Sequence, residues 1–420
     1  MLVLGFAPTI YTTLRVFWLA QLPDVWTFSI AGQLTWVNLL YEILNEGIIL
    51  PLFYFIGSCK DRPAAFANRI RTGMLAALAI YAGLAALVSV FAEPLLLLMA
   101  ADTDIIPAAT GYIRIESIAN VFSVLAQFAL VALVTVNKSR YLYILTAARL
   151  VLCAIADVFL VAPLPCSLNL GIYGIGCSDI LVNGLLWIIS LLLLTREGIP
   201  LWRNDRPDFG WLKALFRVGG ISGLESLVRN AAYMVMICRM VNVVGEQGTY
   251  WVADQFIWSW LLLPVLQLGE LIKQEVSAAP GNFRKRVPGY FAVTGLILMT
   301  WLVSMPAWPI WMRNVLGLTN AEQVLSLVLC LVGFYGAFAF QNVCDAIFYG
   351  LGKTTYMLAE SVITNVVYYG GAFALYAAGV WQPTLIGIAL LFGFGTVFDS
   401  VVSFLAYRHL LKTTSAPGKP

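Results

Sequence analysis

Asn137-Lys138-Ser139-Arg140-Tyr141 and Gly352-Lys353-Thr354-Thr355-Tyr356 stand about 215 residues apart, each between two long apolar runs. Alone, a match of this length says little. At nearly the same offset, however, Leu50-Pro51-Leu52 pairs with Leu263-Pro264-Val265, and Ile172-Tyr173-Gly174-Ile175 with Leu385-Ile386-Gly387-Ile388. Three pairs in one order indicate two homologous halves, and an internal repeat in an apolar chain is a hallmark of secondary transporters.

Composition places the repeat in a membrane. Hydrophobic residues make up 60% and charged residues 11% of the 420 positions, whereas a soluble globule carries roughly 25% charged residues. Mean hydropathy is +0.85. At about 20 apolar residues per spanning helix, the sequence divides into twelve spans: 2 to 22, 33 to 57, 72 to 100, 105 to 136, 142 to 162, 172 to 195, 213 to 241, 249 to 272, 288 to 311, 323 to 350, 356 to 379 and 385 to 408. The first begins at Met1 without a basic n-region or a small-residue cleavage site, so it is expected to be a retained helix.

Basic residues set the expected orientation. The even-numbered connections carry Lys60, Arg62, Arg69 and Arg71, then Lys138 and Arg140, then Arg196, Arg203, Arg206, Lys213 and Arg217, then Lys273, Arg284, Lys285 and Arg286, then Lys353. The odd-numbered ones carry Asp102, Asp104, Glu246 and Glu322 with Arg313 as their one clear base. By the positive-inside rule both termini are cytoplasmic, in a multi-pass cell membrane protein. The longest polar stretch, Thr195 to Asp208, joins the halves. The expected division is an N-terminal lobe at 1–195, a linker at 196–212, a C-terminal lobe at 213–410 and a tail at 411–420. Because six spans is an even number, the fold expected is an all-α integral membrane protein of twelve transmembrane helices, in two six-helix bundles related by a pseudo-two-fold axis along the membrane normal.

Motifs exclude several classes. The seven cysteines form no CxxC and His409 is the single histidine, which rules out a conventional zinc site and a Ser-His-Asp triad. No Walker sequence occurs. Gly219-Gly220-x-x-Gly223 and Gly350-x-Gly352 follow no strand and read as close helix packing or helix ends. An enzyme is not expected.

The chain resembles the multidrug and toxic compound extrusion (MATE) transporters, of the wider group that includes polysaccharide and lipid-precursor flippases. The resemblance is carried by Ala7-Pro8 in the first span, Gly57 followed by Lys60-Asp61, and Asp102-Thr103-Asp104 before a span with Tyr112-Ile113-Arg114-Ile115. Ala154-Ile155-Ala156-Asp157 in the fifth span and Gly171-Ile172-Tyr173-Gly174 opening the sixth complete it. It implies a V-shaped pair of bundles that exports organic, often cationic compounds in exchange for sodium ions or protons. The partners implied are the bilayer, a small organic substrate and a coupling cation, with no nucleic acid and no cofactor, in a monomer.

Charges inside spans are functional candidates, each costing at least about 2.5 to 3.5 kcal/mol at mid-bilayer. Asp24, Asp157 and Asp179 share a similar depth in the first half. The resemblance places Asp24 about where MATE proteins carry an aspartate late in the first helix, and Asp157 at the aspartate ending the fifth-helix pattern, with Cys153 where an asparagine is usual. Asp179 falls where many members have threonine. Three clustered carboxylates can take Na⁺ with backbone or water oxygens, but cannot all stay ionised together, which suits a proton-carrying site. The competing reading is a buried ion-pair network with Arg15 and Arg149, Asp24 lying in the outer loop.

Four further acids are substrate-cavity or secondary cation candidates. Glu42 and Glu46 stack at i, i+4 and form either an acidic wall or a pair with an arginine of another span. Glu225 and Arg229, also i, i+4, read as self-neutralising. Asp345 lies one turn from Gln341, with Asp254, Glu270, Glu360 and Asp399 as weaker candidates near span ends. Most tryptophans are expected to be interfacial anchors, although Trp258 and Trp260 suit a cavity for planar cations. The reading that unites these features is a secondary exporter of organic, amphipathic compounds by H⁺ or Na⁺ antiport. The alternative is a lipid-linked oligosaccharide flippase, whose pyrophosphate substrate asks for a cationic cavity.

Overall fold

A computed structural model of the protein describes residues 2–59, 62–135, 140–199, 206–279 and 283–413, and every regular element among them is helical. Lys60-Asp61, the first repeat copy at Asn137 to Ser139, and the linker bases around Asn204 lie outside the described residues. Twelve rods run in the order of the predicted spans: α1 (Leu2–Ala20), α2 (Thr27–Gly57), α3 (Pro63–Val90), α4 (Ile106–Thr135), α5 (Arg140–Leu160), α6 (Tyr173–Arg196), α7 (212–243), α8 (247–278), α9 (Phe283–Asn314), α10 (Ala321–Gly350), α11 (354–377) and α12 (Leu385–Thr413). Among the described residues, α2 to α6, α9, α10 and α12 are long and apolar enough to cross a bilayer, eight in all, and α8, bent by 50°, makes nine. The more polar α7 carries Lys213, Arg217, Glu225, Arg229 and Arg239. The protein is a multi-pass membrane protein.

Helix starts depart from the predicted spans for a local reason. Helix α3 begins at Pro63, not at 72, and takes in Arg69 and Arg71 before the apolar stretch. Proline is suited to the first helical turn, where its missing N–H is not needed. An apolar window cannot see such a charged turn. Arg69 is used there, donating to the Phe55 carbonyl and, at 2.9 Å, to the Ser58 hydroxyl, which ties α3 to the end of α2.

The repeat is visible in backbone geometry. A π-helical turn at Asn45–Ile49 precedes Pro51, and another at Ile257–Leu261 precedes Pro264, where α8 bends. A proline has no N–H for the carbonyl four residues earlier, so the chain must rearrange its bonding just before it. Two further π turns, Met234–Cys238 and Thr364–Tyr369, lie in α7 and α11. The second copy of the opening motif is a helix end. Gly352 takes φ +67 and closes α10, with Gly352 N–H donating to Tyr349 and Lys353 N–H to Phe348, the bonding of a glycine helix stop.

The chain forms two compact units, Thr13–Asn230 and Met1–Thr12 with Ala231–Pro420. In the first, α4 packs on α6 and α3 along a seam that buries Ile113, Leu125, Phe128 and Leu133. In the second, α10 packs on α12 and α8 around Val343, Ile347, Phe348 and Ile272. Three tryptophans expected at the interface are instead internal: Trp36 is buried beside Gln33, Trp308 is buried, and buried Trp301 donates to the Leu261 carbonyl at 3.1 Å. The last of these satisfies a backbone acceptor at the α8 break.

Candidate functional site

In the Thr13–Asn230 unit, Arg15 on α1 joins α5 to α6. Its Nη1 and Nη2 each donate to Asp179 at 2.7 Å, and its Nε donates to Asp157 at 3.1 Å. The Asp179 pair is a two-bond fork, the strong form of a guanidinium–carboxylate contact. Asp157 is held by one longer bond. It is 0% exposed, and its Oδ1 is buried without a hydrogen-bond partner.

A third acid joins them. Glu116 on α4 is buried, feels the charges of Asp179, Arg15 and Asp157, and also has a buried oxygen without a partner. Its place follows from helical spacing, since Tyr112 and Glu116 share one face at i, i+4. Arg114, two residues away, points elsewhere, exposed and donating to the Ser89 carbonyl at 3.0 Å. Glu116 is one of the charges inside the first-half spans, but the sequence reading grouped only Asp24, Asp157 and Asp179 by depth. Three carboxylates thus surround one guanidinium in a largely buried site, and removing such charges from water is costly unless a proton or cation balances them.

Asp24 is not in this cluster. It lies exposed in the loop after α1, where its carboxylate accepts the Trp26 N–H at 2.9 Å. Leu22-Pro23-Asp24 ends a helix, and aspartate in such a turn bonds the backbone two residues on. Arg149 is exposed on α5 and is not the second base of the network. The Na⁺ cage of Asp24, Asp157 and Asp179 is therefore not assembled, and among the described residues no three His, Cys, Asp or Glu side chains are grouped to hold a metal ion.

Glu42, Glu46 and Glu225 meet at Arg229, the arginine of another span. Its Nη2 is 2.7 Å from Glu46 and 3.2 Å from Glu42, and its Nη1 is 3.3 Å from Glu225. The i, i+4 pair exists but is the longest of the three. This convergence depends on close backbones. Gly219 of α7 lies against the carbonyl of Gly47 in the first π turn, so close that a Cβ on Gly219 would fall 1.7 Å from that oxygen. Small residues permit such an approach between membrane helices.

In the other unit, Asp345 is grouped with Glu360 and Asp399. The Gln341 amide donates to Glu360 at 2.7 Å and to Asp399 at 2.6 Å, while Ser400 donates to the Gln341 oxygen at 3.0 Å. Ser403 donates to Asp345 at 2.8 Å. Neither Asp345 nor Glu360 forms an ion pair among the described residues, the nearby Lys273 being paired with Glu270, and Glu360 keeps a buried, unpartnered oxygen. Glu360→Gln is expected to fold with unchanged or higher thermal stability, because an amide carries no charge to bury. Glu360→Ala should lose about 1 to 3 kcal/mol by leaving the Gln341 donor short of an acceptor. Thermal unfolding of the purified variants checks the order; a Gln variant less stable than the Ala variant contradicts it.

The MatE family pattern matches residues 58–159. No curated protein matches the chain by sequence. Among solved structures, the inward-facing conformation of a multidrug resistance MATE family transporter of the MOP superfamily superposes with a TM-score of 0.77 at 17% identity, over 97% of this chain and 96% of that one. A MOP superfamily transporter from Pyrococcus furiosus, described as having a binding pocket of reverse polarity, gives 0.74 at 16% identity, over 99% and 94%. An outward-facing MATE structure gives 0.61 at 17% identity, over 98% and 94%. The resemblance read in the first spans is upheld: the chain has the fold of the MATE transporters and carries the MatE pattern over residues 58–159.

Proposed function

We propose that the chain is a secondary active transporter that exports organic, amphipathic cations in exchange for H⁺ or Na⁺, with both termini cytoplasmic. The observation that carries this reading is the group of three carboxylates, buried Glu116 and Asp157 and partly buried Asp179, around the single guanidinium of Arg15. Such a site has an affinity for one more positive charge. Asp157 is the natural acceptor, because it has the longer bond to Arg15 and an oxygen without a hydrogen-bond partner among the described residues. Loading it leaves Arg15 to Asp179 alone and loosens the tie between α1 and α5. Helix α1 contains Pro8, a point at which a helix can bend. The coupling ion thereby selects between two arrangements of the helices, as alternating access requires.

The flippase alternative asks for a positively lined site for a pyrophosphate. The internal clusters here each contain more acids than bases, which favours cations. The test is uptake of ethidium into proteoliposomes with a proton or a sodium gradient imposed separately. One gradient should drive accumulation above empty vesicles; no response to either rejects the antiport reading.

A further inference from the structure

Helices α9, α10 and α12 enclose a groove that the transport reading leaves without a role. Its volume is about 640 Å³, within the roughly 300 to 1,000 Å³ of small-molecule sites. Phe291, Phe340, Val397, Val401 and Phe404 line it, and the Phe291 and Phe340 rings, with centroids 6.1 Å apart, join α9 to α10. Val401 is 53% and Phe404 49% exposed, so the groove opens outward, on helices each long and apolar enough to cross a bilayer. Gln341 and Ser400 also line it, but their polar atoms are engaged. The Gln341 amide donates to Glu360 and Asp399, and the Ser400 hydroxyl bonds the Gln341 oxygen and the Thr396 carbonyl. An occupant at that depth is therefore apolar.

One end of the groove runs into positive charge. Along α12, Phe404, Arg408 and Lys412 follow at steps of four, which sets them in a row on one side of the helix. On α9, Arg284 stands two turns before Phe291, about 10 Å along the axis. The two rows meet where Arg284 Nη2 donates to the Leu411 carbonyl at 2.6 Å. Arg284, Arg408, Lys412 and the neighbouring Lys285 are all exposed. The acids of this end, Glu270 and Glu275, are paired with Lys273 and Arg286, and neither Arg408 nor Lys412 forms an ion pair among the described residues. Helix α12 has 29 residues against the roughly 20 needed to cross hydrocarbon, so its last turns reach headgroup level.

We propose that the groove and these bases together hold one anionic phospholipid of the surrounding bilayer, an acyl chain lying along Val401 and Phe404 and the phosphate among Arg284, Arg408 and Lys412. Guanidinium and ammonium groups are the natural donors to phosphate oxygens, and basic pockets between membrane helices select anionic headgroups. A soluble phosphate would use the bases and leave the groove empty. A zwitterionic lipid would fill the groove but bring its own ammonium beside the bases. Only a lipid with net negative charge matches both features. The site lies within one compact unit, and its occupancy does not depend on the coupling ion or on the direction of export.

The test is native mass spectrometry of the delipidated full-length protein in detergent, titrated with dioleoyl phosphatidylglycerol or with dioleoyl phosphatidylcholine. Wild type should bind the first phosphatidylglycerol about tenfold more tightly than phosphatidylcholine. Arg408→Gln combined with Lys412→Gln should remove that preference. Val401→Trp, which fills the groove, should weaken phosphatidylglycerol binding by about fivefold or more. Lys213→Gln combined with Arg217→Gln removes the same charge from exposed positions of α7 and should leave the affinity unchanged. Glycerol phosphate, a headgroup without chains, should not compete. Equal affinity for the two lipids, an unchanged preference in the Arg408/Lys412 variant, or an equal loss in the Lys213/Arg217 variant overturns the proposal. So does wild-type affinity in Val401→Trp, which would reduce the effect to adsorption of headgroups on a basic surface. If one variant fails to fold, the wild-type comparison of the two lipids and the remaining variant decide.

Discussion

Arg15→Gln is expected to destabilise the protein by about 3 to 5 kcal/mol, the cost of stripping the partner from a buried ion pair. The guanidinium serves two acids directly, through three hydrogen bonds, and a third lies beside it. Without it, Asp157, Asp179 and Glu116 face one another in a largely buried site. Asp157→Asn is expected to behave differently, folding normally while losing gradient-driven export, because an amide neither exchanges a proton nor holds a cation by charge. Combining Arg15→Gln with Asp179→Asn should restore part of the lost stability, since the charge left unbalanced is smaller. Thermal unfolding of the three variants, with folded yield from size-exclusion chromatography, checks the order. Arg15→Gln melting with the wild type contradicts the network.

Gly219→Val should be nearly as damaging, for steric reasons. Its Cβ would fall 1.7 Å from the Gly47 carbonyl oxygen, so α2 and α7 must separate. Overpacking of this kind costs about 1 to 3 kcal/mol or more. It also moves Arg229 away from Glu46 and Glu42, and leaves those acids without their base. The adjacent Gly220 is the control, because a Cβ there meets nothing within 4 Å. Gly220→Val should express and melt close to wild type. Equal damage from the two substitutions would show that helix propensity, not the α2–α7 contact, sets the outcome.

Hydropathy alone made the rods and their order legible, since a helix that crosses lipid must be apolar over most of its length. What lay beyond the apolar windows was harder to read, as the early start of α3 at Pro63 illustrates. The acids divide in the same way. Asp157 and Asp179 could be brought together with Arg15 because buried charges seek opposite partners, and both the coupling reading and the ion-pair reading named that group. Asp24 was drawn in by its depth, although Pro23 before it marks a turn. Glu116 stood among the charged positions of the spans but outside the group chosen by depth, and only the packing of α4 against α6 brings it to Arg15. The π turns left no sequence mark beyond the prolines that follow two of them.

The central claim is that Asp157 carries the coupling ion, and the most direct measurement is ion counterflow evoked by substrate. Proteoliposomes with an internal pH dye, or loaded with radioactive sodium, receive a pulse of ethidium with no other gradient imposed. Wild-type vesicles should move protons or sodium opposite to the dye, and Asp157→Asn vesicles should behave like empty ones at equal protein content. Ion movement at the wild-type rate in Asp157→Asn would contradict the account.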